Sequence, residues 1–263
     1  MVIHIIHNGD ALGTGENITD AQAASQITVM NQDYRKMMGT RGYNTHPDGA
    51  DVEIEFCLAK VDPNGAPTTG IVRHQLTAAD YTVAAVNSTV KPATIWDPTK
   101  YMNMWTVRFG GNNWDVLGYA QFPSNSGLNG LEVNGGSANT DGVVAAYNAF
   151  GTMDLNDGTF IMNPTYKFGR TMTHEVGHFL GLRHIWGDGE GIACGATDYC
   201  DDTPYALTAN FGCPTLNSCN DTAYGWTTNP NDMVENYMDY TNDSCMNIFT
   251  QDQKDRMIVV MQN

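Results

Sequence analysis

Residues 174–184 read HEVGHFLGLRH, an H-E-x-x-H-x-x-G-x-x-H pattern that leaves few ways for the surrounding chain to fold. Placed on a helix, His174 and His178 lie one turn apart, so both imidazoles leave the same face and can share one ion at about 2.0–2.1 Å each. Gly181 is where that helix must end, because a left-handed backbone is nearly free of strain only for glycine. The bend brings His184 round as a third nitrogen ligand, and three protein ligands leave one position of a tetrahedral zinc open for water. Glu175 stands beside the first ligand, placed to take a proton from such a water as general base. By residue frequency the first five positions recur by chance in about one chain in a hundred of this length, and the glycine and third histidine reduce that to on the order of one in a hundred thousand. Coincidence is therefore set aside. Val176, Phe179, Leu180 and Leu182 already supply an apolar face, which leaves the histidines for another task. His4, His7, His46 and His74 fall in strand or loop contexts far upstream and read as ordinary polar or core residues.

Upstream of the motif the chain alternates between strand and helix signals. Val2 to Ile6 reads as a first strand. Thr19 and Gln22 form a T-x-x-Q capping box, followed by Ile27, Met30, Tyr34 and Met37 at helical spacing. Val52, Ile54, Phe56 and Leu58 alternate with polar residues and predict another strand, in which Cys57 is a buried free thiol. Residues 63–100 are rich in Thr, Ala, Pro and Asn and predict an irregular connection with one short strand at Ile71 to Leu76. Further strands are predicted at Met102 to Phe109, Leu117 to Phe122 and Gly142 to Phe150. The helix of the motif is expected to run from Arg170 to Leu182. Beyond it, Gly187 to Asn231 carries almost no periodicity, and such a stretch is usually functional or tethered by crosslinks. Thr250 and Gln253 form a second capping box, opening a helix to about Met261 with Met257 and Val260 facing inward. The expected fold is α+β: a twisted mixed sheet with backing and active-site helices, then an irregular C-terminal subdomain closed by a terminal helix.

Lys and Arg total 13 against 29 Asp and Glu, a formal charge of -16, which argues against nucleic acid or an anionic membrane as partner. No stretch reaches the roughly 18 apolar residues of a membrane span, and MVIHII is too short for a signal-peptide core, so a mature or truncated domain is expected. Five of the six cysteines lie between 194 and 245 without any C-x-x-C pair, which favours disulfides and an oxidising, extracellular compartment over a cysteine metal site.

The extended motif and a methionine turn at Asn236-Tyr237-Met238-Asp239-Tyr240 follow the metzincin pattern. More closely, HEVGHFLGLRHIWGDG at 174–189, CDDTP at 200–204, GCP at 212–214 and NYMDYTNDSCMNIFTQDQKDRM at 236–257 resemble the pappalysin family of metalloproteases. NGDALGTGENITDAQ and FCLAKVDPNGAPTTGI upstream are similar to its microbial members. The resemblance spans nearly the whole chain. It implies a single catalytic domain over 1–263, with an N-terminal subdomain 1–181, a C-terminal subdomain 182–263 and one catalytic zinc at the floor of the cleft between them. It implies an endopeptidase acting on proteins or peptides, with Met238 as apolar floor beneath the metal and Tyr240 hydrogen-bonding the oxyanion. It also implies structural calcium after the third histidine, where Asp188, Glu190, Asp198, Asp201, Asp202 and Thr203 offer hard oxygen ligands, Asp198 and Thr203 foremost. A preference for Arg or Lys after the scissile bond would draw on an acid in that pocket, for which Asp243 is the candidate. The disulfides the family suggests are Cys194 with Cys219 and Cys213 with Cys245; Cys200 departs from the family's pattern, and alternative pairings stay open. A secreted monomer is expected. The rival reading is a zinc- and calcium-stabilised binding module without catalysis.

Overall fold

The computed structural model of the chain describes residues 1–188 and 194–262. It divides into two compact units that interleave along the sequence: Met1–Asn31, Glu55–Gln121 and Gly136–Phe179 in the first, and Gln32–Ile54, Phe122–Gly135 and Leu180–Asn263 in the second.

The first unit is built on a five-stranded sheet of order β2-β1-β3-β5-β4. Strands β1 (Val2–His7), β2 (Ile71–Gln75), β3 (Asn103–Val107) and β5 (Val143–Ala146) run parallel, and β4 (Gly118–Ala120) is an antiparallel edge strand on β5. Every residue of β3 and β5 is buried, as interior parallel strands covered on both faces require, and that is why these segments read as apolar runs rather than alternations. Helix α1 (Asp20–Tyr34) begins with the Gln22 amide donating to the Thr19 hydroxyl at 3.2 Å. The expected reciprocal half of that box is absent, because the Gln22 side chain instead donates to the Phe150 and Ile161 carbonyls and accepts from the Ile161 amide. Helix α4 (Arg170–Phe179) packs against β4 and β5.

Two segments depart from their predictions here. Residues 83–94, expected to be irregular, form α2 (Val83–Ala85), one π turn (Val86–Val90) and α3 (Lys91–Thr94) in unbroken succession, with Val86 and Val90 buried. The Thr82 side chain caps the start, and Pro92 follows directly on the π turn, where the regular hydrogen-bond ladder is already interrupted. The second failure is the strand across 52–58, which does not form; Asn31 instead brackets Phe56, donating to its carbonyl at 3.0 Å and accepting from its amide at 2.7 Å. Cys57 in that stretch is exposed, not buried, and Cys200 is the buried free thiol.

His4 on β1 is fully buried and stacks on Trp105, with ring centroids 5.2 Å apart. Asn103 Oδ1 already accepts from the Trp96 amide, so His4 Nε2–H donates to it at 2.9 Å and His4 Nδ1 faces His74 Nε2 at 3.0 Å. Burial, with the neighbouring His74 adding, pushes His4 down to about 4. The unfolded chain therefore binds the extra proton between pH 6.5 and about 4, and folding stability falls as pH drops through that window. The expected loss is up to about 3 kcal/mol. A His4→Gln variant is expected to flatten the pH dependence of urea stability between 6.5 and 4; an unchanged slope would show that His4 is not its source.

The second unit is poor in regular structure. Its one long helix, α5 (Gln251–Gln262), opens with a complete capping box: Gln253 N–H donates to the Thr250 hydroxyl and Thr250 N–H to Gln253 Oε1. The Gln253 amide also exchanges two 3.0 Å hydrogen bonds with Asn236, so the start of α5 is locked to the methionine turn. Disulfides join Cys194 to Cys219 and Cys213 to Cys245. Buried carboxylates do much of the remaining tethering. Asp232 accepts from the amide and hydroxyl of Ser218, Asp239 from the amides of Asn210 and Tyr240, and Asp221 from the Tyr205 amide. Irregular chain has unpaired backbone donors, and these acids satisfy them.

Candidate metal centre

The centre is assembled from a stretch of eleven residues, so its geometry is set locally. Helix α4 presents His174 and His178 on one face, their rings edge to face with centroids 4.6 Å apart and their Nε2 atoms 3.0 Å apart. The helix ends at Phe179, and Gly181 takes φ +93°, the left-handed turn expected of it. A Cβ there would stand 2.6 Å from Leu128 Cδ1. Arg256 of α5 donates to the Gly181 carbonyl at 3.0 Å and to the Asn129 carbonyl at 3.2 Å, satisfying an acceptor left over at the helix end. After this bend His184 joins the other two: His174, His178 and His184 each offer a ligand nitrogen, all within 4.8 Å of one another. On a tetrahedral zinc, nitrogens at 2.0–2.1 Å lie about 3.3 Å apart, so small ring adjustments make this an N₃ donor set for that ion.

His184 is held by its own neighbours. Trp186 stacks on its ring at 4.2 Å with an interplanar angle of 6°, and Tyr240 meets it edge-on at 4.8 Å. Met238 is fully buried, and its carbonyl accepts from the Ile185 amide at 3.3 Å, tying the methionine turn to the residue after the third histidine. Tyr240 is 41% exposed.

Glu175 is only 7% exposed, and burial pushes its carboxyl up to about 8. Gly118 of β4 is what makes room for it: a Cβ at Gly118 would fall 2.8 Å from Glu175 Oε1 and 2.9 Å from the Val144 carbonyl. Sequence reading missed Gly118, because a strand-to-helix approach leaves no local signal. It also missed Arg256, Trp186 and the position of Asp188.

The acids read as oxygen ligands have different surroundings. Asp188 lies against His184. Asp202 accepts from the Asp252 amide at the start of α5, and Asp201 is exposed. Asp198 and Thr203 are both buried and bonded to each other, the Thr203 hydroxyl 2.9 Å from both carboxylate oxygens. Burial pushes Asp198 up to about 7, the usual response of a carboxyl removed from water. Beside them is a cavity of about 440 Å³ whose walls include Cys200, Tyr224 and Trp226. Glu190 lies outside the described residues. Asp243 is buried in a turn closed by the Cys245 amide donating to the Asn242 carbonyl.

A mixed sheet backed by a helix bearing two of three clustered histidines, with a glycine bend and a methionine turn, defines a metalloendopeptidase of the metzincin fold. Comparison with known proteins agrees. Residues 85–262 match the Peptidase_M43 family model, described as Pregnancy-associated plasma protein-A. Mature mirolysin of Tannerella forsythia, solved in complex with a cleaved peptide, superposes with a TM-score of 0.79 at 39% identity, covering 97% of this chain and 88% of that one. An extracellular metalloprotease of Neurospora crassa is 32% identical and one of Sordaria macrospora 28%, each over 97% of this chain and 71% of the relative. The chain belongs to the Peptidase_M43, or pappalysin, family of metalloproteases.

Proposed function

We infer that the chain is a secreted, monomeric endopeptidase that hydrolyses peptide bonds in proteins with one zinc ion held by His174, His178 and His184. The observation that carries this reading is the convergence of three imidazole nitrogens within 4.8 Å. When bound, zinc supplies a Lewis acid that polarises the scissile carbonyl and acidifies water next to it. Glu175 then takes the proton of the attacking water on a carboxylate oxygen and hands it to the nitrogen of the leaving amine. Burial alone raises the Glu175 carboxyl, and a divalent ion held by the three imidazoles would favour the ionised form that can accept a proton. The exposed phenol of Tyr240 donates a hydrogen bond to the oxyanion as the carbonyl carbon becomes tetrahedral. An extended peptide adds along the edge of β4 opposite β5, β4 being the outermost strand among the described residues. Secretion fits the two disulfides and the extracellular relatives, and among the described residues no helix is long and apolar enough to cross a membrane.

Two finer points belong to the same reading. Asp198 and Thr203 hold a structural calcium, for which a buried carboxylate bonded to a hydroxyl offers suitable hard oxygens. Asp243 selects Arg or Lys after the scissile bond. Cleavage profiling on a random peptide library is expected to show internal cuts enriched before Arg and Lys, with the enrichment falling at least tenfold in Asp243→Asn. Cuts without any basic preference in the wild type would remove Asp243 from this account, and no cleavage at all with zinc bound would remove the endopeptidase reading.

A further inference from the structure

His184 is the one histidine of the cluster that lies beyond the helix, after the Gly181 bend, so α4 does not set the direction of its ring. The four residues that follow do. The Asp188 carboxylate curls back over this turn. Its Oδ1 meets His184 Nδ1, while its Oδ2 accepts from the His184 backbone amide at 3.2 Å and from Arg183 Nε at 3.4 Å. The turn is closed by the Gly187 amide donating to the His184 carbonyl at 2.9 Å. Asp188 itself sits at φ 53°, a left-handed conformation that a residue with a Cβ adopts at a cost and that surrounding contacts must hold in place. Trp186 covers one face of the imidazole in near-parallel contact, and the Tyr240 ring stands across its edge.

We propose that Asp188 is a positioning residue for the third metal ligand, its carboxylate holding the Nδ1–H form of His184 so that Nε2 is presented to the ion, with Trp186 fixing the plane of the ring. An acid that accepts from Nδ1 can only be satisfied by a ring whose proton is on that nitrogen, and the lone pair is then on Nε2. A carboxylate behind a ligating histidine commonly governs metal affinity 10–100-fold.

This inference rests on His184 being a ligand, so the test separates the two. Zinc dissociation constants are measured on the full chain by chelator competition for the wild type, His184→Ala, Asp188→Asn, Asp188→Ala and Trp186→Leu, with circular dichroism confirming the fold. The expected result is the largest loss for His184→Ala, about 10–100-fold weaker binding for Asp188→Ala, and smaller losses for Asp188→Asn and Trp186→Leu. The isosteric Asn variant stands in if the Ala variant does not fold. Weakened zinc binding in His184→Ala together with Asp188 variants within threefold of the wild type would overturn the role of Asp188 alone. Unchanged zinc binding in His184→Ala would overturn the ligand reading beneath it. Calcium titration on the same proteins adds a second readout: a variant that loses calcium affinity and keeps zinc affinity would make Asp188 a calcium ligand and refute the proposal.

Discussion

Glu175→Gln lowers kcat/KM by about 10²–10⁴-fold while zinc content stays at one ion per chain. The substitution keeps the shape of a side chain that is only 7% exposed and removes its capacity to accept a proton. The three histidines are untouched, so metal affinity is expected to change little. Burial pushes that carboxyl up to about 8. Casein hydrolysis followed alongside metal analysis checks both halves of the expectation. Activity within tenfold of the wild type would strip Glu175 of its role as base. Equally poor hydrolysis by wild type and variant, both with zinc bound, would favour a metal-stabilised binding module over an enzyme.

Gly181→Val should be the most damaging single change to the fold around the centre. The backbone there has φ +93°, which costs about 1–2 kcal/mol for a residue with a Cβ. The added atom would also press on Leu128 Cδ1 at 2.6 Å and on Val260 Cγ2 at 3.1 Å, an overpacking penalty of about 1–3 kcal/mol. For a chain of this size a combined 2–5 kcal/mol corresponds to a fall in Tm of about 4–20 °C. Because the bend brings His184 to its partners, zinc affinity should fall together with stability. Calorimetry with and without added zinc reads both, and a variant that melts with the wild type and retains its zinc would show that the bend is not what assembles the ligands.

The parts of this protein that were legible in its sequence are those whose physics is local. His174, His178, Gly181 and His184 are related by one helical turn and one bend, so eleven residues suffice to place them. The Thr250 and Gln253 box spans four residues and formed in full, whereas Thr19 and Gln22 formed only half a box because the Gln22 side chain found carbonyls more than a hundred residues away. The helical run from 83 to 94 was hidden by Ser, Thr, Val and a proline, residues of modest helix propensity whose placement is decided by the burial of Val86 and Val90. The alternation of 52–58 looked like a strand because Val52 and Ile54 are indeed buried, yet side-chain amides rather than a neighbouring strand satisfy the backbone at Phe56.

The roles of single acids were not legible in the charge of -16: Asp221, Asp232 and Asp239 are buried acceptors for backbone and side-chain donors in a stretch that is poor in regular structure. No composition argument distinguishes such acids from surface ones, because the donors they serve are brought to them only by the fold. Gly118 is similar: its lack of a side chain matters because Glu175 of α4 comes to lie over it.

Anomalous diffraction at the zinc edge, from crystals of the zinc-saturated protein, decides whether the three imidazoles share one zinc ion. The expected map has a single strong peak about 2.0–2.1 Å from one nitrogen each of His174, His178 and His184. Rings turned away from one another with no peak between them, or a peak held by other residues, would contradict it.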